Sequence, residues 1–500
     1  MYEVVNYDVK EVLWFDYRGV LQSWICILIT NTERTFIYMH ISKKYIVLFL
    51  TIAIFWLMSM TSIEVTVAAG VPTLNTLTGY LPWTWSTTNR MIDDNSSLWF
   101  ADVNGDGRKD MVSKGEAGAW NAGVVYVSLS TGKGYQPWTW NSGTRMIDEG
   151  STMWLADVNG DGKADLITKG QSGAANAGYV YVSLSTGTGY NPWSWTSGYR
   201  MIDDNSPMWF EDVNGDGKAD LISIGQAGAW NEGWIYVSLS TGKGYQPWTW
   251  TSESKMLNAK DTPWFVDVNG DGRVDLVAKG QPNASNAGQL YVSLCNGSGY
   301  NPWTWTSGSR MVNDNDVQWF ADVNGDGKAD LISKGQPDTA NAGYVFVSLS
   351  NGVGYSYWTW NSGGRMIDDS GSMWFSDING DGKADMLSVG KNVGYNEGWL
   401  YASLSNGNGY QPWTWNSGSK IIESNNIWFS DVSGDGRGDL IIKGSGAEAG
   451  FVRVAISTEF NQVQYEYNAS GQLVVTTLPD GSKVYYTYDK NGNLMKKQKK

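Results

Sequence analysis

The sequence has very few of the residues that carry nucleophilic and acid–base chemistry in many enzymes. Its 500 residues include two cysteines, Cys26 and Cys295, and one histidine, His40. Cys26 and His40 lie ahead of a predicted signal-peptide cleavage point near Ala69. The mature chain would keep no histidine and one cysteine, which excludes an intramolecular disulfide and any Ser-His-Asp or Cys-His triad. We therefore predict that the protein is not an enzyme.

Charged residues are also scarce, and this scarcity indicates a fold class. They make up 17% of the chain, whereas glycine occurs 60 times and tryptophan 28 times. Such a composition is typical of short strands that are joined by tight turns and buried by large aromatic side chains. It argues against a helical or a disordered chain, so we predict an all-β protein.

The first 69 residues have the pattern of an upstream segment followed by a signal peptide. Met39 is followed by two lysines, by a 15-residue apolar run over 46–60 and by small residues over 67–70. A membrane span needs about 20 apolar residues, so a cleaved signal peptide over 39–69 is the better interpretation and a single span is the alternative. Met39 is then the expected start, or else residues 1–38 form a long leader. The mature chain is expected to be secreted or displayed at the cell surface, with no stable membrane span.

A nine-residue pattern, D-x-[NS]-G-D-G-x-x-D, recurs at nearly constant spacing through most of the chain. Five intervals of 55 residues and a last one of 54 separate its seven copies, which begin at Asp102, Asp157, Asp212, Asp267, Asp322, Asp377 and Asp431. Repeats of about this length form solenoids or propellers, because each unit needs its neighbours to bury its apolar face.

One repeat reads as four strands, and the two ends of the repeat region complement each other. In the third unit the segments 208–212, 219–223, 234–239 and 245–250 have strand patterns and are separated by glycine-rich turns. The region opens with a lone fourth strand over 80–85, and the seventh unit lacks that strand. We predict a seven-bladed β-propeller over 70–458 whose last blade is closed by the N-terminal strand, with a short β tail over 459–500.

The repeated loop has the oxygen donors of a calcium site. Side-chain oxygens at positions 1, 3, 5 and 9 and the backbone carbonyl at position 7 can converge on one hard cation, and up to seven Ca²⁺ ions are predicted. The candidate ligands are Asp102, Asn104, Asp106, Arg108 and Asp110; Asp157, Asn159, Asp161, Lys163 and Asp165; Asp212, Asn214, Asp216, Lys218 and Asp220; Asp267, Asn269, Asp271, Arg273 and Asp275; Asp322, Asn324, Asp326, Lys328 and Asp330; Asp377, Asn379, Asp381, Lys383 and Asp385; and Asp431, Ser433, Asp435, Arg437 and Asp439.

Two other interpretations of these loops fit the sequence less well. A helical EF-hand loop needs a carboxylate at position 12, where this chain has Ser, Thr, Ala or Ile, and the residues that follow alternate as in a strand. Metal-free turns are the other alternative, but the fourth aspartate recurs in every copy. Seven divalent ions would balance the formal net charge of −14. The acidity therefore does not indicate a basic partner, and the basic end at 496–500 is read as a solvated terminus and not as a nucleic-acid site.

Most tryptophans are expected to pack within or between blades, because 21 of the 28 occupy three equivalent positions per unit, such as Trp138, Trp140 and Trp154. Four others depart from the repeat beside the link between the second and third strands, and these are candidates for lining pockets in particular blades. They are Trp120, Trp230, Trp234 and Trp399.

The segment W-F-x-D-V-N-G-D-G-K-A-D-L-I-S-K-G is similar to the FG-GAP or VCBS repeats of integrin α-like propellers, and the resemblance covers 79–458. It implies calcium in the loop between the first two strands of each blade. A fungal lectin family of seven integrin-like blades also looks similar. Tyr465-Glu466-Tyr467-Asn468 and its echo at 486–489 resemble the YD repeats of RHS proteins, some of which carry an FG-GAP propeller.

These observations lead to one functional expectation and two alternatives. We expect a non-catalytic, calcium-binding, monomeric propeller that recognises glycans or cell-surface proteins. The first alternative is the leading propeller scaffold of a truncated RHS or toxin-complex protein. The second, an enzyme built on paired carboxylates, would have to use the acids Asp93, Asp94, Asp203 and Asp204, which are more simply read as surface residues.

Overall fold

The structure of the chain is a computed structural model. The structure describes residues 9–16, 23–30, 37–42, 77–80, 83–93, 96–148, 151–258, 261–313, 316–337, 339–368, 371–391, 395–423, 426–460, 464–467, 472–477, 483–488 and 494–499. The chain divides into two units, residues 1–73 and 74–500.

The first unit contains one small antiparallel sheet. Its strands are β1 (Val9–Asp16), β2 (Ser23–Thr30) and β3 (Ile37–Ser42), paired in that order. The apolar run and the cleavage point of the predicted signal peptide lie outside the described residues. Within the described parts of the chain, no helix is long and apolar enough to cross a membrane.

The second unit is built from repeated four-stranded sheets. Two strands precede the first complete sheet, β4 (Leu77–Tyr80) and β5 (Trp85–Ser86). Blade 1 contains β6 (Leu98–Ala101), β7 (Asp110–Lys114), β8 (Val125–Ser128) and β9 (Trp140–Asn141); blade 2 contains β10 (Met153–Ala156), β11 (Asp165–Lys169), β12 (Val180–Ser183) and β13 (Trp195–Thr196). Blade 3 contains β14 (Met208–Glu211), β15 (Asp220–Ile224), β16 (Ile235–Ser238) and β17 (Trp250–Thr251); blade 4 contains β18 (Thr262–Val266), β19 (Asp275–Lys279), β20 (Leu290–Ser293) and β21 (Trp305–Thr306).

The remaining sheets follow the same plan. Blade 5 contains β22 (Gln318–Ala321), β23 (Asp330–Lys334), β24 (Val345–Ser348) and β25 (Trp360–Asn361); blade 6 contains β26 (Met373–Ser376), β27 (Asp385–Val389), β28 (Leu400–Ser403) and β29 (Trp415–Asn416). Blade 7 contains β30 (Ile427–Ser430), β31 (Asp439–Lys443), β32 (Val452–Ala455) and β5; a 3-10 turn at Gly446–Glu448 joins β31 to β32. The predicted all-β class of four-stranded blades is confirmed.

The last blade is completed by the beginning of the repeat region, as the unmatched strands predicted. Trp85 of β5 pairs with Val454 of β32, and β33 (Ser457–Phe460) pairs with β4. The Ser130 hydroxyl of blade 1 donates to the Val432 carbonyl of blade 7 at 2.6 Å. Blades 1 and 7 are therefore neighbours, and the arrangement closes on itself.

The cores lie between adjacent blades. One cluster joins Val112 and Val127 of blade 1 to Met153 and Leu166 of blade 2. Strand β15 in blade 3 is buried at all five positions, because neighbouring blades cover both faces of its sheet. Each sheet thus depends on its neighbours for its core, as in repeat proteins generally.

The tryptophans of the repeat have two different environments. Trp140 meets Tyr190 of the next blade edge to face at 5.9 Å, and Trp154 packs on Phe210 at 5.6 Å, so these positions pack between blades as predicted. Trp138 instead has 49% of its surface exposed and a positive φ of 47°, which is rare for a bulky residue. The expectation of simple packing is wrong for Trp138 and for its counterparts Trp193, Trp248, Trp358 and Trp413, which are also about half exposed, whereas Trp83 and Trp303 at the same position pack against core clusters.

A further four-stranded antiparallel sheet follows the propeller. Its strands, in order, are β34 (Gln464–Tyr467), β35 (Leu473–Thr477), β36 (Lys483–Tyr488) and β37 (Leu494–Lys499). Residues 465–467 and 486–488 of the two segments that resemble YD repeats lie on β34 and β36, and the last residue of each segment lies outside the described residues.

Candidate functional site

The Asp-rich loops connect the first and second strands of each blade. In the first loop the two Asp102 carboxylate oxygens accept backbone N–H groups of Gly105 at 2.6 Å and Gly107 at 2.7 Å. The Asn104 side chain accepts the Asp106 N–H at 2.9 Å. Gly105 and Gly107 have φ values of 78° and 84°, which glycine adopts without the strain that other residues would suffer. The same pattern of glycines and side-chain acceptors makes each loop a compact turn.

The position-5 carboxylate is paired with the cation at position 7 of its own loop. The distance is 2.5 Å between Arg108 and Asp106, and 2.8 Å between Lys218 and Asp216. These side chains are partly exposed, so each pair adds little stability. The hydrogen bond from the Arg273 guanidinium nevertheless lowers the pKa of its partner Asp271 against the opposing effect of burial.

The position-9 aspartate is buried and supports the backbone. The Asp110 carboxylate is fully buried and accepts the N–H groups of Val103 at 2.9 Å and Ser130 at 2.7 Å. Burial raises its pKa to about 6 despite those two hydrogen bonds, with further repulsion from the nearby Asp106 carboxylate. The same cause raises the pKa of Asp385 to about 7. Each of these buried carboxylates would be favoured in its charged form by a cation nearby.

The seven loops are linked to one another around the ring. The Asp102 carbonyl accepts the Ala164 N–H of the second loop at 2.7 Å, and the Asp431 carbonyl accepts the Lys109 N–H of the first loop at the same distance. In the seventh loop, Ser433 replaces asparagine and its hydroxyl contacts the Asp431 carboxylate at 3.3 Å. The weakest copy in the sequence therefore keeps the same turn.

The donor set of these loops suits a hard cation, because all side-chain donors are carboxylate, amide or hydroxyl oxygens. Across the described residues, however, no three carboxylate, thiol or imidazole groups are arranged to hold a metal ion together. Position 1 binds loop amides, position 5 binds its Lys or Arg, and position 9 binds buried amides. A cation would have to compete with the position-7 side chain for the position-5 carboxylate.

A second feature lies at the opposite ends of the strands, beside the link between the second and third strands. In blade 1 a cavity of 400 Å³ is lined by the linker that precedes the blade, including Arg90 and Asp93, and by Trp120, Asn121 and Trp138. Trp120 has 94% of its surface exposed. The Asn121 amide donates to Asp93 and to the Tyr126 hydroxyl, both at 3.2 Å.

Equivalent cavities occur in blades 3 and 6. The blade 3 cavity measures 540 Å³ and carries Trp230, which is 82% exposed and contacts Trp234 edge to face at 5.3 Å. The blade 6 cavity measures 320 Å³ and carries Tyr395, which is 79% exposed. Trp120 and Trp230 were predicted as pocket residues. Tyr395 was missed, although comparison of the same repeat position across the units would have found it.

Two of the acids set aside as surface residues contribute to these cavities. Asp93 lines the blade 1 cavity and Asp203 lines the blade 3 cavity. Asp204 pairs with Arg200 at 3.0 Å. Asp94 lies outside the described residues. Trp399, the fourth candidate, is partly buried and does not line the blade 6 cavity.

Comparison with solved structures found similar chains. An Agrocybe aegerita lectin that specifically recognises non-reducing terminal N-acetylglucosamine has 19% identity and a TM-score of 0.44, over 80% of this chain and 90% of the lectin. TcdB2-TccC3 bound to Cdc42 has 14% identity and a TM-score of 0.33, over 83% of this chain and 19% of that one. TcdB2-TccC3 has 14% identity and a TM-score of 0.32, over 82% and 21%. This chain spans about a fifth of the TcdB2-TccC3 chains.

Sequence comparison identifies the repeats. No curated protein matches the chain. The family model of the RHS repeat matches residues 461–498. The family model of the FG-GAP-like repeat matches residues 102–168, 212–278, 267–333, 322–388 and 377–442, which together make up more than half of the chain. The protein therefore belongs to the FG-GAP-like repeat family and has an RHS repeat that follows the propeller in the sequence.

Proposed function

We propose that this protein is a secreted, non-catalytic, monomeric recognition module that binds carbohydrate on cell surfaces or in their surroundings. One observation carries the proposal: in three blades a largely exposed aromatic side chain lines a cavity that also offers carboxylate, amide and hydroxyl groups. Exposed aromatic rings above polar pockets favour ligands with both an apolar face and hydrogen-bonding groups. Sugars have this combination.

We also propose that the Asp-rich loops bind Ca²⁺ and that this binding has a structural role. The loops and the cavities lie at opposite ends of the strands, so the ion would not touch the ligand. Bound Ca²⁺ would offset the repulsion between the buried position-9 carboxylate and its neighbours at positions 1 and 5. Because neighbouring loops share backbone hydrogen bonds, this effect would extend around the ring.

A glycan array tests the recognition function, run with the full chain in Ca²⁺ and again after chelation. We expect selective binding in Ca²⁺ that persists in chelator at temperatures well below melting, because the cavities do not include the loops. A blank array with an intact fold would refute carbohydrate recognition.

A thermal melt with and without chelator tests the metal. A ligand that binds only the folded state raises the free energy of unfolding by about 2.7 kcal/mol when its concentration is 100 times its Kd. The melting temperature rises as a consequence. We expect a clear rise with Ca²⁺ and a smaller one with Mg²⁺, which prefers a tighter octahedral site. An unchanged melting temperature would refute the calcium assignment.

A second function is favoured by the sheet at residues 464–499. That region matches the RHS repeat, and its strands form a separate four-stranded sheet after the propeller. The propeller would then serve as a docking scaffold for an RHS assembly. Binding to an RHS-containing protein, together with a blank glycan array, would support this function over carbohydrate recognition.

A further inference from the structure

The seven blades are not equivalent on the face that bears the cavities. One repeat position is aromatic in blades 1, 3 and 6, where it holds Trp120, Trp230 and Tyr395. The same position holds Ala175, Ser285 and Ala340 in blades 2, 4 and 5, respectively. The cavities described above lie in these three aromatic blades, and the residue at this position divides the blades into two groups.

The cavity walls contain buried polar atoms without a partner. In the described structure, the Asn121 side-chain oxygen and the Ser96 hydroxyl of the blade 1 cavity have no hydrogen-bond partner. Both residues are buried, with only 8% of their surface exposed. The Ser206 hydroxyl is the counterpart in blade 3, at 5% exposure. Buried polar groups are nearly always hydrogen-bonded, so these atoms call for water or for a ligand that supplies hydrogen bonds.

An arginine and an aspartate occur together in each of the three cavities, and the blade 1 cavity also has Lys114, whose ammonium donates to the Ser151 carbonyl at 2.8 Å. Arg200 in the blade 3 cavity lies 3.7 Å from Asp203 and 3.0 Å from Asp204. The sequence keeps an arginine and an aspartate at these linker positions in blades 1 and 6 as well, as Arg90 with Asp93 and Arg365 with Asp368. A site whose cation already faces carboxylates gains little from a charged ligand and favours a neutral one.

A second aromatic side chain lines each of these cavities. Trp138, Trp248 and Trp413 line the three cavities, each about half exposed and held at a positive φ of 47° to 49°. Backbone strain of this kind persists where the surrounding structure holds it, and it often marks binding sites. The exposed ring and this indole thus add two aromatic side chains to a lining that also has polar groups.

We propose that blades 1, 3 and 6 each bind one terminal residue of a neutral saccharide, and that the aromatic residue at this one repeat position decides which blades bind. This inference rests on the proposed carbohydrate function. The cavities of 320 to 540 Å³ lie at the small end of the range for ligand sites, about 300 to 1,000 Å³, which suits a sugar terminus better than a long chain. Going round the ring, the sites lie two, three and two blades apart, so a surface that displays many termini would be bound with avidity.

Blade 2 provides a natural control, because it has the other parts of the site. It keeps the linker pair Arg145 and Asp148, the amide of Asn176, which donates to Tyr181 at 3.1 Å, and the half-exposed Trp193. At the repeat position that is aromatic in blades 1, 3 and 6, blade 2 holds Ala175. The substitution Ala175→Trp therefore tests whether the ring alone converts a silent blade into a binding one.

The experiment compares the full chain with four site variants and one control variant by titration calorimetry. The probe is the best-binding neutral oligosaccharide from an array that also carries sialylated and sulfated glycans. We expect about three sites per chain in the wild type, two after Trp120→Ala, none detectable after the combined W120A, W230A and Y395A changes, and an additional site after Ala175→Trp. Trp120→Tyr should retain binding within about tenfold in Kd, because blade 6 has a tyrosine, Tyr395, at the same repeat position.

Separate outcomes refute separate claims. Val353→Ala, at an exposed valine outside these cavities, controls for loss of surface apolar area and should leave the titration and the melting temperature unchanged. A triple variant that binds as many sugars as the wild type would overturn this inference and leave carbohydrate recognition standing. Binding confined to acidic glycans would overturn the neutral class. A wild-type chain that binds no glycan would overturn the proposed function and this inference together.

Discussion

Hydrogen bonds between blades offer a quantitative test of what holds the ring together. In blade 5 the buried Ser350 hydroxyl donates to the Val268 carbonyl of the loop in blade 4 at 2.6 Å, and it accepts the Gly352 N–H at 3.2 Å. The same position in blade 4 holds Cys295, whose thiol reaches the Val213 carbonyl at 3.0 Å. One repeat position thus presents a strong donor in one blade and a weak one in the next.

Two opposite substitutions follow from this comparison. Ser350→Ala removes a hydrogen bond worth about 0.5–1.5 kcal/mol and leaves a buried carbonyl and a buried N–H short of a partner, so we expect a loss of about 2 kcal/mol in the free energy of unfolding. Cys295→Ser restores the hydroxyl and should gain about 0.5–1 kcal/mol, because the other blades show that the position accommodates serine.

Urea unfolding in saturating Ca²⁺, followed by tryptophan fluorescence, measures both effects. Equal slopes with urea concentration are needed for the two free energies to be compared. Ser350→Cys is the matched control and should fall between Ser350→Ala and the wild type. If Ser350→Ala and Cys295→Ser both leave the midpoint within error of the wild type, the hydroxyl-to-carbonyl bonds do not contribute to the cohesion of the ring.

Three further predictions concern packing and closure. Gly123→Ala should prevent normal folding, because the added methyl group would overlap a backbone carbonyl of the following linker. Gly118 has open space around it, so Gly118→Ala should cost only about 1 kcal/mol for its positive φ. Equal melting temperatures of the two variants would contradict this prediction. Trp140→Ala should cost about 3–5 kcal/mol by leaving a cavity between blades, and Trp138→Ala much less, as measured by urea unfolding. A chain that begins after β5 should lose its cooperative transition in calorimetry, while one that begins at residue 74 should keep it, because β5 is the fourth strand of blade 7.

Much of the architecture could be predicted from the sequence because the repeat carries it. The constant spacing of the Asp-rich pattern, the strand periodicity within a unit and the complementary defects at the two ends predicted four-stranded blades and the pairing of β5 with β32. Local turn chemistry also followed, since Gly105 and Gly107 occupy the positive φ values that the loop requires. These features depend on residues that are close in sequence or related by the repeat.

Only the tertiary structure decided what depends on neighbouring blades and on side-chain direction. From the sequence, the four acidic and amide positions of a loop look like equivalent metal ligands. In the fold, however, the buried Asp110 carboxylate accepts two backbone N–H groups, and Asp106 is paired with Arg108. The sequence likewise presented the tryptophans of the repeat as one packing class, but the backbone at Trp138 turns that indole outward. The sequence could mark Trp120 and Trp230 as pocket candidates because they depart from the repeat, but exposure depends on how linker and blade meet in space, so only the folded ring placed these side chains at a cavity.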